Sequence, residues 1–375
     1  MRTLTKYITR QLVLTLFFSV GVFTFVLIMG QMMRQIVEMM GRGQLGLKAV
    51  GYFFLLVMPS VLSLTLPMAI LAATLLVIGR MSADNEINAM RASGVSLAGV
   101  ISPILVTAAL AGALVLYINA DLAPRGLFRL RTLFVELATE DPMAFLQERT
   151  YIKEFPGQVV YVGRKYVTRE GENVIEDVLL YSLDNNQNVV SCLRAQQGFV
   201  TTDPVARKLK IDLRNVRGDL RDPADPTNVR KIRTGTTAQR YPMEFDLNQV
   251  ARSAGQKRKL EDLTLTELRG EIRRLQAQGI YPAAALMNVH YRFAGAVACV
   301  SFAVIGIPLG LKTHRRETSI GIALSLGLAL IWYVVAVLAI TLKHKVYIYP
   351  EVILWSPNLA FEILGLWLLW RTSRV

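Results

Sequence analysis

The feature that most constrains this chain is a set of six long apolar runs: Leu12–Gly30, Ala49–Gly79, Leu97–Ala120, Phe293–Leu311, Thr318–Leu342 and Pro350–Trp370. A helix needs about 20 consecutive apolar residues to cross a hydrocarbon core, so these runs predict an α-helical polytopic membrane protein. The second run holds about 31 residues, roughly 46 Å as a helix. It must tilt, kink or protrude, and Pro59 and Pro67 each delete a backbone donor at a natural bend point. Trp355, Trp367 and Trp370 suit the interfacial ends of the last span, whereas Trp332 lies inside the fifth run.

Between the third and fourth runs the character of the chain changes. Leu209, Ile211 and Leu213 alternate with Lys208, Lys210, Asp212 and Arg214; Tyr241, Met243, Phe245 and Leu247 alternate with Pro242, Glu244 and Asp246. Period-two alternation marks half-buried strands. Thr150–Phe155, Val159–Val167, Ile175–Leu183, Val189–Ala195 and Val229–Thr234 are further candidates, separated by turn chemistry at Pro156-Gly157, Asp184-Asn185-Asn186, Asp203-Pro204 and 222–226. Short strands punctuated in this way predict a sandwich, a jelly roll or an open barrel. The expected organisation is therefore three spans in 1–140, an inserted all-β extracytoplasmic domain in 141–250, a basic linker and amphipathic helix in 251–282, and three spans in 283–375. The linker helix covers roughly Thr264–Gln278, with Leu268, Ile272 and Leu275 on one face.

The net charge of +14 does not point to nucleic acid, because basic residues flank the apolar runs as anionic headgroups and the positive-inside rule favour. With the N-terminus inside, the inner short loops hold Arg2, Lys6, Arg10, Arg80, Arg91, Lys312, Arg315, Arg316, Arg371 and Arg374; the outer ones hold Arg34, Arg42, Lys48, Lys343 and Lys345. Ten against five predicts both termini in the cytoplasm and the β domain outside it. No small-residue cleavage pattern follows the first run, so it is expected to be an uncleaved helix. Two cysteines, Cys192 in the polar middle and Cys299 in an apolar run, do not make a disulfide framework. The sequence has no phosphate-binding G-x-x-x-x-G-K-[ST], H-E-x-x-H, C-x-x-C or G-x-S-x-G pattern. His290, His314 and His344 sit near ends of apolar runs. No motif supports chemistry in this chain, and no cofactor is assigned to it; if it moves something uphill, the energy comes from elsewhere.

Two features remain as site candidates. The first is the polar island Arg80–Ser96 between the second and third runs. Ser82 is a candidate N-cap, Asp84 and Glu86 suit the first turn, Ile87 and Met90 share a face, Arg91 follows, and Gly94 is a candidate stop. A short amphipathic helix over about 82–94 is predicted. It is either a handle for a soluble partner or an ordinary helical loop. The second feature is a set of arginines at the outer ends of the spans: Arg34, Arg42, Arg125, Arg129, Arg131 and Arg292. Guanidinium forks match phosphate geometry, so these either hold lipid phosphates or anchor the spans to headgroups. Arg34 and Arg292 flank spans most closely.

The order of these features resembles the LptF/LptG (YjgP/YjgQ) permeases of lipopolysaccharide export. The resemblance rests on Glu86–Ser96 (EINAMRASGVS), on His290-Tyr291-Arg292 before the fourth span, on Gly306-Ile307-Pro308-Leu309 followed by Arg315-Arg316, and on Trp355-Ser356-Pro357-Asn358 at the start of the sixth. It runs along nearly the whole chain. It implies that the short helix is a coupling helix seated in a cytoplasmic ABC ATPase dimer (LptB-like), with Glu86 buried in that contact and ATP held by that partner. It further implies a periplasmic β-jellyroll docking with an LptC-like bridge protein, and a paralogous permease enclosing a lipopolysaccharide cavity with this one. Features point both ways between the F and G members. Two other readings stay open: an ABC permease for another lipid or lipoprotein, and a membrane-anchored receptor or scaffold with a β binding domain.

Overall fold

The structure, a computed structural model, describes residues 2–41, 47–140, 146, 148–152, 157–168, 171–183, 189–203, 208–220, 233–246, 258–312, 318–343 and 349–373. The chain divides into two compact units, one of residues 1–128 with 259–375 and one of residues 129–258.

The first unit is helical. In chain order it holds α1 (Arg2–Gly41), α2 (Leu47–Ala83), α3 (Glu86–Ala92) and α4 (Leu97–Tyr117). A π turn (Ile118–Leu122) then leads into α5 (Ala123–Glu140), within which the chain passes from the first unit to the second. After the strands come α6 (Leu265–Ala277), α7 (Ala283–Lys312), α8 (Thr318–Thr341) and α9 (Pro350–Ser373). Six of the described helical stretches are long and apolar enough to cross a membrane, three before the strands and three after. The third outlasts its predicted end at Ala120: the π turn carries the helix past that point in spite of Pro124, and the candidate span reaches Leu133.

Helix α7 is the hub, packed against α2, α4 and α9. Its small residues permit this. A Cβ on Gly112 of α4 would stand 2.7 Å from the Ala296 carbonyl oxygen, and one on Gly365 of α9 would stand 2.7 Å from that of Val304. Without water or a strong hydrophobic drive between helices in lipid, such close approach supplies much of the packing attraction. Phe302, Cys299, Ala303 and Ile307 are fully or almost fully buried along α7. By contrast α1 and α8 leave broad apolar faces exposed, including Phe17, Phe18 and Phe25 on α1 and Leu330 and Val334 on α8, as lipid or a protein neighbour in lipid allows.

Several polar groups of the spans are hydrogen-bonded across helices. Trp332 of α8 donates to Asn358 Oδ1 of α9 at 2.8 Å, and Asn358 Nδ2 donates to the Ala294 carbonyl of α7 at 2.9 Å. Ser301 of α7 donates to Glu362 Oε1 of α9 at 2.7 Å.

The second unit is a six-stranded antiparallel sheet: β1 (Thr150–Ile152), β2 (Gln158–Val167), β3 (Asn173–Leu183), β4 (Val189–Asp203), β5 (Lys208–Leu220) and β6 (Arg233–Asp246). Each strand pairs with the next in sequence. A jelly roll built of Greek keys would bring non-consecutive strands together; among the described residues the pairing is that of a meander. The expected alternation in β5 holds, with Leu209, Ile211 and Leu213 at 2% exposure or less and Lys210 exposed. In β6 Phe245 is buried, but Tyr241 is exposed. Two predicted short strands, Val229–Thr234 and Tyr241–Leu247, meet in the single strand β6; 229–232 and 247 lie outside the described residues. The linker 251–257 lies outside them as well, whereas α6 is as expected: Thr264 caps it by accepting from the Glu267 amide, Glu267 bonds back to the Thr264 amide, and Leu268 is fully buried.

Candidate functional site

The short helix α3 is set by backbone events at both ends. Helix α2 does not stop at Ser82, whose hydroxyl donates to the Leu311 carbonyl at 3.0 Å and so ties the end of α2 to the end of α7. The predicted cap at Ser82 is thereby corrected. The turn comes at Asn85, which takes the left-handed conformation at φ 58° and ψ 15°; asparagine tolerates this region better than most residues. Asp84 falls before the helix, not in its first turn, and faces Arg80 at 3.8 Å. Glu86 alone is the first-turn acid and Arg91 the last-turn base, the arrangement the helix dipole favours.

The C-terminal end is a Schellman motif. The Val95 amide donates to the Met90 carbonyl and the Gly94 amide to the Arg91 carbonyl, both at 3.0 Å. Gly94 has φ +81°, the left-handed stop that glycine adopts without penalty. Met90 and Val95, the two residues whose apolar contact accompanies such a motif, both pack on the main apolar cluster of the spans.

The helix has only seven residues, shorter than the predicted 82–94, and its two faces differ. Ile87 is 4% exposed and joins Ile8, Met81 and Val100 in the cluster, with Met90 beside it. Those two residues seat α3 against its own chain. The opposite face, Asn88, Ala89, Arg91 and Ala92, is exposed. Glu86 lies at the boundary, and the Tyr7 hydroxyl on the first turns of α1 stands 3.3 Å from both its carboxylate oxygens. Sequence reading missed Tyr7, since nothing local links positions 79 residues apart.

The arginine candidates divide. Arg292 is 4% exposed, turned into the protein. Its Nε donates to Asn288 Oδ1 at 3.0 Å and its Nη2 to the Leu263 carbonyl at 2.7 Å, while Nη1 is buried without a hydrogen-bond partner among the described residues. It clamps the segment before α6 onto α7, with two of its guanidinium nitrogens held by acceptors of this chain. Arg125 is exposed and bonded to Asp121 at 2.6 Å one turn away. Arg34 belongs to the backbone of α1, and its side chain lies outside the described residues, as do Arg42 and its surroundings. Glu362, an acid in the middle of an apolar run, is a signal the sequence carried; its bond from Ser301 puts it on the seam between α7 and α9.

The profile of the family described as lipopolysaccharide export system permease LptF/LptG matches residues 6–371, nearly the whole chain. The chain belongs to the LptF/LptG family. No curated protein matches it. Membership makes this LptF/LptG-family chain a transport subunit of lipopolysaccharide export, and it implies membership of the Lpt complex with other Lpt proteins. Together with the six apolar helices it also makes the chain a multi-pass protein of the inner membrane.

Proposed function

We propose that this chain is the permease subunit of an ABC transporter that extracts lipopolysaccharide from the inner membrane and passes it to a periplasmic bridge for export to the outer membrane. The observation that carries the reading, beyond family membership, is the two-faced helix α3. It is fixed at both ends, seated on the spans by Ile87 and Met90, and exposed at Asn88, Ala89 and Arg91. A surface helix held in this way transmits a push from a soluble partner to α1, α2, α4 and α7, whose side chains surround it in one cluster.

In this reading a cytoplasmic ATPase dimer binds the ATP and docks on Asp84, Glu86, Arg91 and the α3 surface between them. Both termini are cytoplasmic. The β unit, whose described strands pair as a meander, lies in the periplasm and meets an LptC-like bridge. A paralogous permease closes the lipid cavity from the other side. A ligand moves an equilibrium only by binding one state better than another, so ATP-driven closure of the ATPases must change the cavity that α1 borders, and the Tyr7–Glu86 contact gives α1 a direct connection to the docking helix.

The test is purification of wild type and Glu86→Lys from native membranes in mild detergent, followed by mass spectrometry of bound proteins and lipids. Reversing a charge in a buried interface pair costs about 2–5 kcal/mol or more, so the ATPase is expected with the wild type and lost from the variant, with lipopolysaccharide among the wild-type lipids. Undiminished ATPase recovery with Glu86→Lys would sink the docking assignment. A different bound lipid would replace the substrate.

A further inference from the structure

The strands of the β unit break step along one line. In β3 the buried positions Ile175 and Val178 are separated by Glu176 and Asp177; in β4 Ala195 and Gly198 by Gln196 and Gln197; in β5 Leu213 and Val216 by Arg214 and Asn215. Strict alternation would leave one residue in each gap. Asp177 and Asn215 take φ of 51° and 52°, and both are skipped in the register, which passes from Glu176↔Gln197 to Val178↔Ala195 and from Gln197↔Arg214 to Ala195↔Val216. Interruptions of this kind bend a strand and re-aim its side chains. Non-glycine residues held in the left-handed region are strained, and strain of this kind gathers at functional sites.

The crease opens a cleft of about 500 Å³ lined only by polar residues. Its charges do not cancel. Arg164 holds Glu176 Oε2 at 3.2 Å, and the Tyr166 hydroxyl donates to Oε1 at 3.1 Å. Arg194 donates from Nε and Nη2 to Asp177 Oδ1 at 3.2 and 2.9 Å. Both acids of the cleft are thus engaged. Arg217 stands directly across from Arg194 in the register, exposed and without an ion pair among the described residues. Like charges facing each other on adjacent strands are unfavourable, and an incoming anion relieves this pair.

The rest of the lining narrows the class of anion. The volume exceeds what one phosphate fills. Gln197, and the Asn215–Gln196 pair joined at 3.2 Å, present carboxamides that both donate and accept, as sugar hydroxyls require. Without an apolar side chain the cleft offers nothing to an acyl chain or an apolar peptide residue. We propose that this crease binds an acidic saccharide, with its carboxylate or phosphate on Arg217 and its hydroxyls on Gln196 and Gln197. The inference rests on the lipopolysaccharide reading and assigns the sugar portion of that substrate a place on the β unit.

The full chain in detergent micelles is titrated calorimetrically with four probes: the delipidated, phosphorylated oligosaccharide of lipopolysaccharide, a neutral maltooligosaccharide of equal length, inorganic phosphate, and a glutamate-rich peptide. The acidic oligosaccharide is expected to bind at least tenfold more tightly than the other three. Arg217→Glu is expected to weaken it at least tenfold and Arg217→Gln by less, both exposed substitutions that leave the sheet folded. Equal affinity of wild type and Arg217→Glu overturns the proposal. So does equal or tighter binding of the peptide, which makes the crease a protein-docking surface, or of phosphate, which makes it a simple anion site. Binding of intact lipopolysaccharide is measured alongside. A wild type that takes no intact lipid refutes the exporter reading, while the oligosaccharide titration still decides the crease.

Discussion

Arg292→Lys keeps the charge at this position and removes the planar fork. In the structure two separate nitrogens of Arg292 reach Asn288 Oδ1 and the Leu263 carbonyl, at 3.0 and 2.7 Å. A single ammonium on a flexible stem holds one of these acceptors and leaves the other buried without a partner. A hydrogen bond from a charged donor contributes about 1.5–3 kcal/mol, so the variant is expected to lose about that much unfolding free energy. That is roughly a ten- to hundredfold shift in the folding equilibrium. The assay is reversible unfolding of purified wild type and variant in mixed micelles titrated with a denaturing detergent, with bound lipid quantified in the folded fraction. Lysine still meets a phosphate as a point charge. The clamp therefore predicts lower stability with lipid retained by the folded molecules. Unchanged stability would refute the reasoning.

Three further outcomes are expected. Gly112→Ala puts a methyl group 2.7 Å from the Ala296 oxygen and should cost about 1–3 kcal/mol by overpacking α4 against α7, whereas Gly327→Ala, with nothing within 4 Å, should be neutral or gain up to about 1 kcal/mol of helix propensity in the same unfolding assay. Gly94→Ala forces a side chain into the left-handed region at a cost of about 1–2 kcal/mol, and amide exchange at Val95, whose N–H closes the Schellman motif, should accelerate. In the β unit, hydrogen bonding from Lys208 and the charges of Lys208 and Lys210 hold the Glu244 carboxyl below its usual range. A depressed folded-state value means a contribution present above the unfolded carboxylate range and lost as pH falls through the lower folded one. Glu244→Gln should therefore lower stability slightly at neutral pH, since these groups are exposed, and leave it unchanged in acid, which flattens the acid limb of the unfolding profile.

Much of this molecule is written locally. The six spans follow from uninterrupted apolar length, and most of the strands from period-two alternation, because both signals need only neighbours in sequence. The end of α3 at Gly94 was legible for the same reason: a left-handed stop is a property of one residue. Its beginning was misplaced at Ser82 because that hydroxyl is drawn to Leu311, 229 residues away. The two long strands β4 and β6 were broken short in the reading where alternation skips, although pairing resumes beyond the skip.

By itself, the sequence determined a polytopic membrane protein with an inserted β region and a polar helix between its second and third spans, through the length and periodicity of its apolar residues. Only the tertiary structure decided which way the polar side chains turn. Arg292 faces inward because the Leu263 carbonyl is there to receive it; Ile87 and Met90 seat α3 because Ile8, Met81 and Val100 close around them; Glu362 lies on a seam because Ser301 stands 2.7 Å away. A charged or amphipathic side chain has no fixed direction until distant parts of the chain supply its partners, and in lipid, where water cannot stand in for them, those partners settle its place.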